Sequence, residues 1–292
     1  MSKLSISLAL SVCLAAMITF APSTTADSAS HPHRTTVNTD TYGANDGGFS
    51  TNWYRLNHAT TVTVTYSSVT NSHAIKKQLR LPKGTVLGAQ RYHHGAAAQK
   101  LAYTNGYMTP NISYHLKSKL VNDHVYGFGA VSFKLSPKSV TQIVRPAYGL
   151  PYGSGTLYAG GLNSIKTLNR NVNAIKLTSD GYVETYRNQP EDYPSFWGTL
   201  ESHYDSKPNN AQKINLSVKN GNTVELYYQH HLKGVHDTQV RKTGNTQYRL
   251  TIKNQHTPYQ YTDSAYAGNK AVASIYAVGG VNYFTVIGSG WK

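Results

Sequence analysis

The chain has 292 residues, 28 Lys and Arg against 13 Asp and Glu, and a formal net charge of +15 at pH 7. Its single cysteine excludes a disulfide framework, and its length supports two or three modest domains, each resting on a packed core. A positive surplus of this size points to an anionic partner.

Residues 1–26 have the three-part logic of a secretory signal peptide. Lys3 gives a positive start, Leu4 to Phe20 is an uncharged apolar run, and Pro22 breaks it before a small-residue stretch. Cleavage is expected after Ala26, with Ala29 as the second choice. The run is marginal for a membrane span, which needs ~20 apolar residues. No second apolar span follows, so no transmembrane segment is expected after cleavage. Cys13 lies inside the run, and bulky Val12 before it does not suit lipid attachment. The mature chain is therefore expected to be exported without cysteine, a habit that suits a Gram-positive exoprotein.

Residues 27–50 are Ser, Thr, Asn, Asp, Gly and His with hardly an aliphatic side chain, and read as a flexible leader. His31-Pro32-His33 in this leader is not assigned a metal. A basic β-rich region of one or two modules is expected over 51–188. Thr61-Val62-Thr63-Val64-Thr65-Tyr66 alternates and is β-branched, so it predicts a strand. Gln78-Leu79-Arg80-Leu81 alternates, Pro82-Lys83-Gly84 turns, and Thr85-Val86-Leu87 resumes. Leu101-Ala102-Tyr103 leads to Asn105-Gly106, the strongest two-residue hairpin signal, with Tyr107-Met108-Thr109 as the expected return strand. Later candidates are 125–133, 141–144, 172–177 and 182–186, the last two flanking a Ser179-Asp180-Gly181 turn. Ala147 to Leu162, with five glycines and three tyrosines, reads as a long loop with aromatic anchors. The only helical stretch expected is a turn or two within 113–120.

Residues 189–210 carry Pro190, Pro194 and Pro208 and read as a junction. A C-terminal β-module is expected over 211–292, with strands at 213–218, 223–228, 248–252, 272–276 and 281–287. Asn220-Gly221 and Gly244-Asn245 mark turns, and Val278-Gly279-Gly280-Val281 marks a terminal hairpin. The predicted fold class is all-β: two or three small antiparallel barrel or sandwich modules after a cleaved signal peptide.

Motif chemistry is mostly excluded. A mature chain without Cys has no thiol nucleophile. There is no Gly-x-Ser-x-Gly elbow, no His-Glu-x-x-His zinc pair and no phosphate-binding glycine loop. A glycosidase needs two carboxylates about the scissile bond. The candidates for that chemistry are Glu184 and Glu201, within an acidic and aromatic stretch at 180–205 that includes Trp197. Thirteen histidines would add positive charge below about pH 6.5. His231 and His236 are spaced to meet across a turn beside Asp237. Adjacent histidines on a strand point to opposite faces, so His93-His94 and His230-His231 cannot each serve one ion. No metal site and no cofactor are assigned.

Charge is distributed unevenly. Residues 47–179 hold fifteen Lys and Arg against one acid, Asp123, whereas residues 180–292 hold eleven against nine. A dispersed positive face attracts polyanions. The residues placed on it are Lys76, Lys77, Arg80, Lys83, Arg91, Lys100, Lys117 and Lys119, with Tyr107 and Trp197 as aromatic contacts. For an exported bacterial protein the abundant polyanions are wall and lipoteichoic acids and anionic headgroups. Nucleic acid shares the phosphate chemistry but is not expected as a partner of an exported chain.

Arg80-Leu81-Pro82-Lys83-Gly84-Thr85-Val86, followed by Leu101-Ala102-Tyr103-Thr104-Asn105-Gly106-Tyr107-Met108, resembles the strand–Lys-Gly-Thr–strand and Asn-Gly-Tyr pattern of wall-associated modules in lactic acid bacteria. Those modules resemble bacterial Src-homology-3-like barrels and S-layer attachment domains. Val272 to Trp291 is similar in style. The resemblance covers about a third of the chain and implies non-covalent wall attachment. The expectation is a secreted, extracellular or wall-associated protein that binds teichoic acids or related wall polyanions, with peptidoglycan or other glycans as further partners. The alternatives are a wall-glycan hydrolase using the carboxylates of 180–205, and an adhesin for host glycans or matrix.

Overall fold

The computed structural model describes residues 33–34, 52–67, 74–91, 101–104, 112–118, 132–150, 155–166, 172–187, 207–263 and 269–291. The described chain is all-β, built from two antiparallel sheets. The 1–26 segment, most of the leader and nearly all of the 189–210 junction lie outside the described residues.

Chain order begins with β1 (His33–Arg34), which joins the second sheet. The first sheet holds β2 (Asn52–Leu56), β3 (Thr60–Ser67), β4 (Ala74–Leu81), β5 (Val86–Arg91), β6 (Leu101–Thr104), β7 (Ser132–Leu135) and β8 (Val140–Ile143). Its spatial order is β4-β3-β7-β6-β5-β2-β8. A four-residue helix α1 (Tyr114–Lys117) falls within the expected 113–120 window. One core serves the sheet: Tyr54, Leu56, Val62, Leu79, Leu81, Leu87, Leu135 and, from just before α1, Ile112. Alternation explains it, because Val62, Leu79 and Leu81 are buried while Thr61, Thr63, Gln78 and Arg80 are exposed.

Just before the Asn105-Gly106 signal, β6 is paired on both sides. Its register partner is β7, with Leu101 opposite Leu135, and its other edge takes β5, with Arg91 opposite Tyr103. Both edges of Tyr103 and Thr104 are thus filled. Residues 105–111 themselves lie outside the described residues.

The second sheet holds β9 (Thr156–Ala159), β10 (Ala174–Leu177), β11 (Tyr182–Tyr186), β12 (Asn210–Lys213), β13 (Leu216–Asn220), β14 (Thr223–Tyr228), β15 (Thr238–Gln239), β16 (Tyr248–Asp263), β17 (Asn269–Val278) and β18 (Val281–Trp291). Its spatial order is β12-β11-β10-β9-β18-β17-β16-β14-β13. The two ends of that order are consecutive in the chain. Ile214 N–H donates to Gly181 O, continuing the β11 ladder, and Asn215 N–H donates to Tyr227 O, opening the β14 ladder. β12 and β13 are thus two halves of one bent strand, and the hydrogen-bonded ring closes. Leaving aside the two-residue β1 and β15, eight staves follow one another in chain order around it.

The two faces of this ring carry different cores. Leu157, Ile175, Leu177, Val183, Leu226, Tyr228, Leu250, Ile252, Val272, Tyr276 and Tyr283 fill the inside. Their alternates Tyr158, Ala174, Ala273, Ile275 and Phe284 form an outer cluster, which the helix α2 (Gly161–Lys166) covers with Ile165. A ring of about eight strands has an interior that side chains can fill, and three tyrosines among the aliphatics fill it here.

Strand pairing and composition divide the chain in different places. The expected boundary at 189–210 lies inside the second sheet, because its flanks β11 and β12 pair, with Tyr182 opposite Lys213. β9, α2, β10 and β11 come from the block expected to be the basic module, yet they complete the ring. The expected loop at 147–162 contains β9 and opens α2. β9 has only four residues and is bounded by Gly155 and Gly160; its partners β10 and β18 make it a strand.

Leu226 is fully buried at the centre of the ring. Leu226→Ala is expected to cost about 2–5 kcal/mol through a cavity that the ring cannot collapse around. Urea denaturation followed by tyrosine fluorescence checks this; a loss under ~1 kcal/mol would mean the interior is not packed as described.

Candidate functional site

Three groups of chemistry-bearing residues stand out: a basic ribbon on β3 and β4, a carboxylate clasp between the sheets, and a histidine–aspartate pair at one end of the ring.

The ribbon follows from sequence alternation. β3 and β4 pair with Thr61 opposite Arg80, Thr63 opposite Gln78 and Thr65 opposite Lys76. With Val62, Leu79 and Leu81 turned inward, the other face presents Lys76, Gln78 and Arg80 beside Thr61 and Thr63. Alternate residues on a strand stand ~6.8 Å apart, so the ribbon is a row of cations and hydroxyls on one plane. Gln78 Nε2 donates to Thr63 Oγ1 at 3.0 Å, which ties the two strands on that face. Lys83 is exposed at the turn after β4, where Thr85 N–H and Oγ1 both donate to Pro82 O. Among the described residues β4 is an edge of its sheet.

The ribbon therefore gathers Lys76, Arg80 and Lys83 of the sequence-derived set. Lys77 points the other way and is half-buried. Arg91 ends β5 and Lys117 ends α1, with their side chains outside the described residues. Lys100, Lys119, Tyr107, Trp197 and Glu201 also lie outside the described residues.

Glu184 has a structural employment. It is 0% exposed on β11. Oε1 accepts Tyr114 N–H at 2.6 Å and Oε2 accepts Tyr186 O–H at 2.8 Å. Two turns of strand away, Asp180 does the same for the preceding residue: Oδ1 accepts Ser113 N–H at 2.7 Å and Oδ2 accepts Ser113 Oγ–H at 2.6 Å. The two carboxylates thus receive the backbone that enters α1, where N–H groups lack helical partners. Lys213 Nζ donates to Asp180 O at 2.6 Å and lies 4.5 Å from the centre of the Tyr182 ring. His115 stacks on Tyr182 at 5.8 Å.

A second bridge runs beside the clasp. Tyr148 sets its ring edge-on to Trp53 of β2 and donates from its hydroxyl to Ser179 O at 2.9 Å. Gly149 lets this happen, since a Cβ there would meet the Trp53 ring at 2.7 Å. Burial first, and the Asp180 charge second, push the Tyr148 hydroxyl far above its ordinary range, so it remains a donor.

At the end of the ring, Asp237 is a hub. Its side chain is 1% exposed. Tyr228 O–H and Leu232 N–H donate to Oδ2 at 2.8 and 2.9 Å, and His231 Nδ1 lies 2.6 Å from Oδ1. The expected meeting of His231 with His236 is replaced by this pair, while the His236 carbonyl packs against Gly279. Burial, with Asp237 second, pushes the Tyr228 hydroxyl far up. Among the described residues no three His, Cys, Asp or Glu side chains converge on a common metal position. The clasp carries no local sequence signal, because Ser113 and Tyr114 reach Asp180 and Glu184 from a distant part of the chain.

Glu184→Ala leaves two buried donors without an acceptor and is expected to cost roughly 2–4 kcal/mol, at ~1–3 per orphaned group. An unchanged urea midpoint would remove the clasp as a stabilising contact. Tyr148 and Tyr228 bind their protons more tightly folded than unfolded. Their contribution is complete below the ordinary value of 10.0 and is lost as pH rises above it. The urea midpoint is expected to fall above pH 10, and to fall less steeply in Tyr228→Phe; equal slopes in the two proteins would contradict this. Compared with family models, characterised proteins and solved structures, the chain has no match, so its own geometry carries any functional reading.

Proposed function

We propose that this is an exported, envelope-associated protein of a Gram-positive bacterium that holds anionic wall polymers non-covalently through the β3–β4 ribbon. The supporting observation is the ribbon itself: Lys76, Arg80 and Lys83 are exposed along an edge strand and its turn, with threonines across the pair and no acid in the sequence from 47 to 122. Phosphate oxygens suit this face, since ammonium, guanidinium and hydroxyl groups all donate to them. A row of exposed donors along a strand also suits a polymer, whose phosphates repeat, better than a small solute. Edge-strand lysines do a second job in any β-protein by discouraging strand-to-strand association. That job needs only a charge or two and leaves the arginine, the turn lysine and the threonine row unexplained.

A hydrolase reading draws no support from Glu184, whose two oxygens are occupied and buried beneath the segment entering α1.

The test uses the full-length protein and purified cell walls with and without teichoic acid. Binding is expected only where teichoic acid is present and to weaken as salt rises, because exposed charges are screened within a Debye length of ~10 Å at 0.1 M. Replacing Lys76, Arg80 and Lys83 together by Gln is expected to weaken binding roughly tenfold to a hundredfold, at up to ~1 kcal/mol per exposed charge. Binding that ignores teichoic acid, or a triple variant that binds like the parent, would defeat the reading.

A further inference from the structure

The ring carries a cationic surface of its own that the charge distribution along the sequence conceals. β14 ends at Tyr228, and residues 229–237 then fold across the end of the ring. Leu232 and Val235 enter the interior core. Thr185 Oγ1 of β11 donates to Lys233 O at 3.1 Å, and the His236 carbonyl lies against Gly279 in the β17–β18 turn. The segment is therefore anchored at β14, β11 and β17 and forms a fixed cap. The next loop stands beside it. β15 pairs with the start of β16, the Val240 and Arg241 N–H groups both donate to Gln247 O, and the His231 ring leans on Tyr248 at 5.8 Å.

Asp237 is the sole acid between residues 229 and 247. Its carboxylate faces inward, engaged by Tyr228, Leu232 and His231. His230, His231, Lys233, His236, Arg241 and Lys242 are all exposed. The Asp237 contact takes Nδ1 of His231, whose side chain is half exposed, and leaves Nε2 outside that contact. The nearby Glu225 accepts from Tyr227 at 2.7 Å and pairs with Arg249 at 3.1 Å, so it is committed on the wall of the ring. Lys233, Arg241 and Lys242 have no acidic partner among the described residues. Donors held on a fixed frame, with the one carboxylate turned away, suit phosphate oxygens.

We propose that this capped end of the ring is a second binding surface for a phosphate-rich polymer, so that the protein is bivalent and can join two polymer segments. The inference rests on the preceding reading for the class of ligand and for the first of the two sites; the location of the second site is independent of the β3–β4 ribbon. Two sites on one body raise apparent affinity for a long polymer by roughly 10²–10⁴ over one site, with no new contact.

Long-chain inorganic polyphosphate serves as the probe, with the full-length protein. The parent is expected to cross-link it, seen as turbidity near charge equivalence that clears with salt. Replacing Lys233, Arg241 and Lys242 by Gln should abolish the turbidity and weaken apparent binding at least tenfold, while circular dichroism and thermal midpoint stay unchanged. A control variant replaces the exposed Arg187, Lys219 and Lys253 by Gln, which removes the same charge elsewhere on the ring. It should behave as the parent. Unchanged turbidity in the 233/241/242 variant, or an equal loss in the control, overturns the proposal. If the 233/241/242 variant loses binding while the 76/80/83 variant does not, the ring end stands as a binding surface, but the ribbon reading and the bivalence both fall.

Discussion

Two buried carboxylates hold the molecule's halves in register. Asp180 and Glu184 sit on one face of the β10–β11 hairpin and accept the N–H groups of Ser113 and Tyr114, which lie among the strands of the other sheet's sequence. Removing an acid from water is costly unless its oxygens find donors. Here all four oxygens do, with Ser113 Oγ and Tyr186 O–H supplying the rest. The chain up to residue 179 contains a single acid beyond the leader, so the first half could not provide these acceptors itself. The same scarcity that makes the first half basic makes it rely on the second half's carboxylates.

Around this clasp, the two sheets solve the problem of free strand edges differently. The second sheet closes on itself, because one bent strand serves β11 with its first half and β14 with its second. The overhanging half of β16, beyond the reach of β14, is met by β1 at Tyr259 and Gln260. Among the described residues the first sheet stays open, and its edge strand β4 exposes Lys76 and Arg80. Closure suits a packed interior, and an open, charged edge suits a contact surface.

Much of this was legible in the residues. The β-branched alternation of 61–66, the pairing of 172–177 with 182–186 through Ser179-Asp180-Gly181, and the strand at 223–228 all appear where their patterns place them. The outward face of Arg80 and the exposure of Lys83 follow from the alternation around them. What was not legible depends on distant partners. β9 is four residues among glycines and becomes a strand only because β10 and β18 flank it. Glu184 has the composition of a catalytic acid in an aromatic setting, and nothing local to it announces that Tyr114 will occupy it. At 229–242 the one acid, Asp237, is turned inward onto Tyr228, Leu232 and His231, so the exposed side chains there are cationic or neutral, an arrangement that sequence order does not show.

The closure of the ring also has a consequence in time. The seam lies between β9 and β18, where Tyr158 meets Phe284. Every other stave pairs with its immediate successor and can form as the chain lengthens, but β9 must wait for the last stave to be made. Until then its outer edge is open, and the inner core lacks Tyr283. Contacts between residues this far apart in sequence form slowly. The ring can therefore be sealed only after β18 has been made, so the pairing that spans most sequence within it is also the last one available to it.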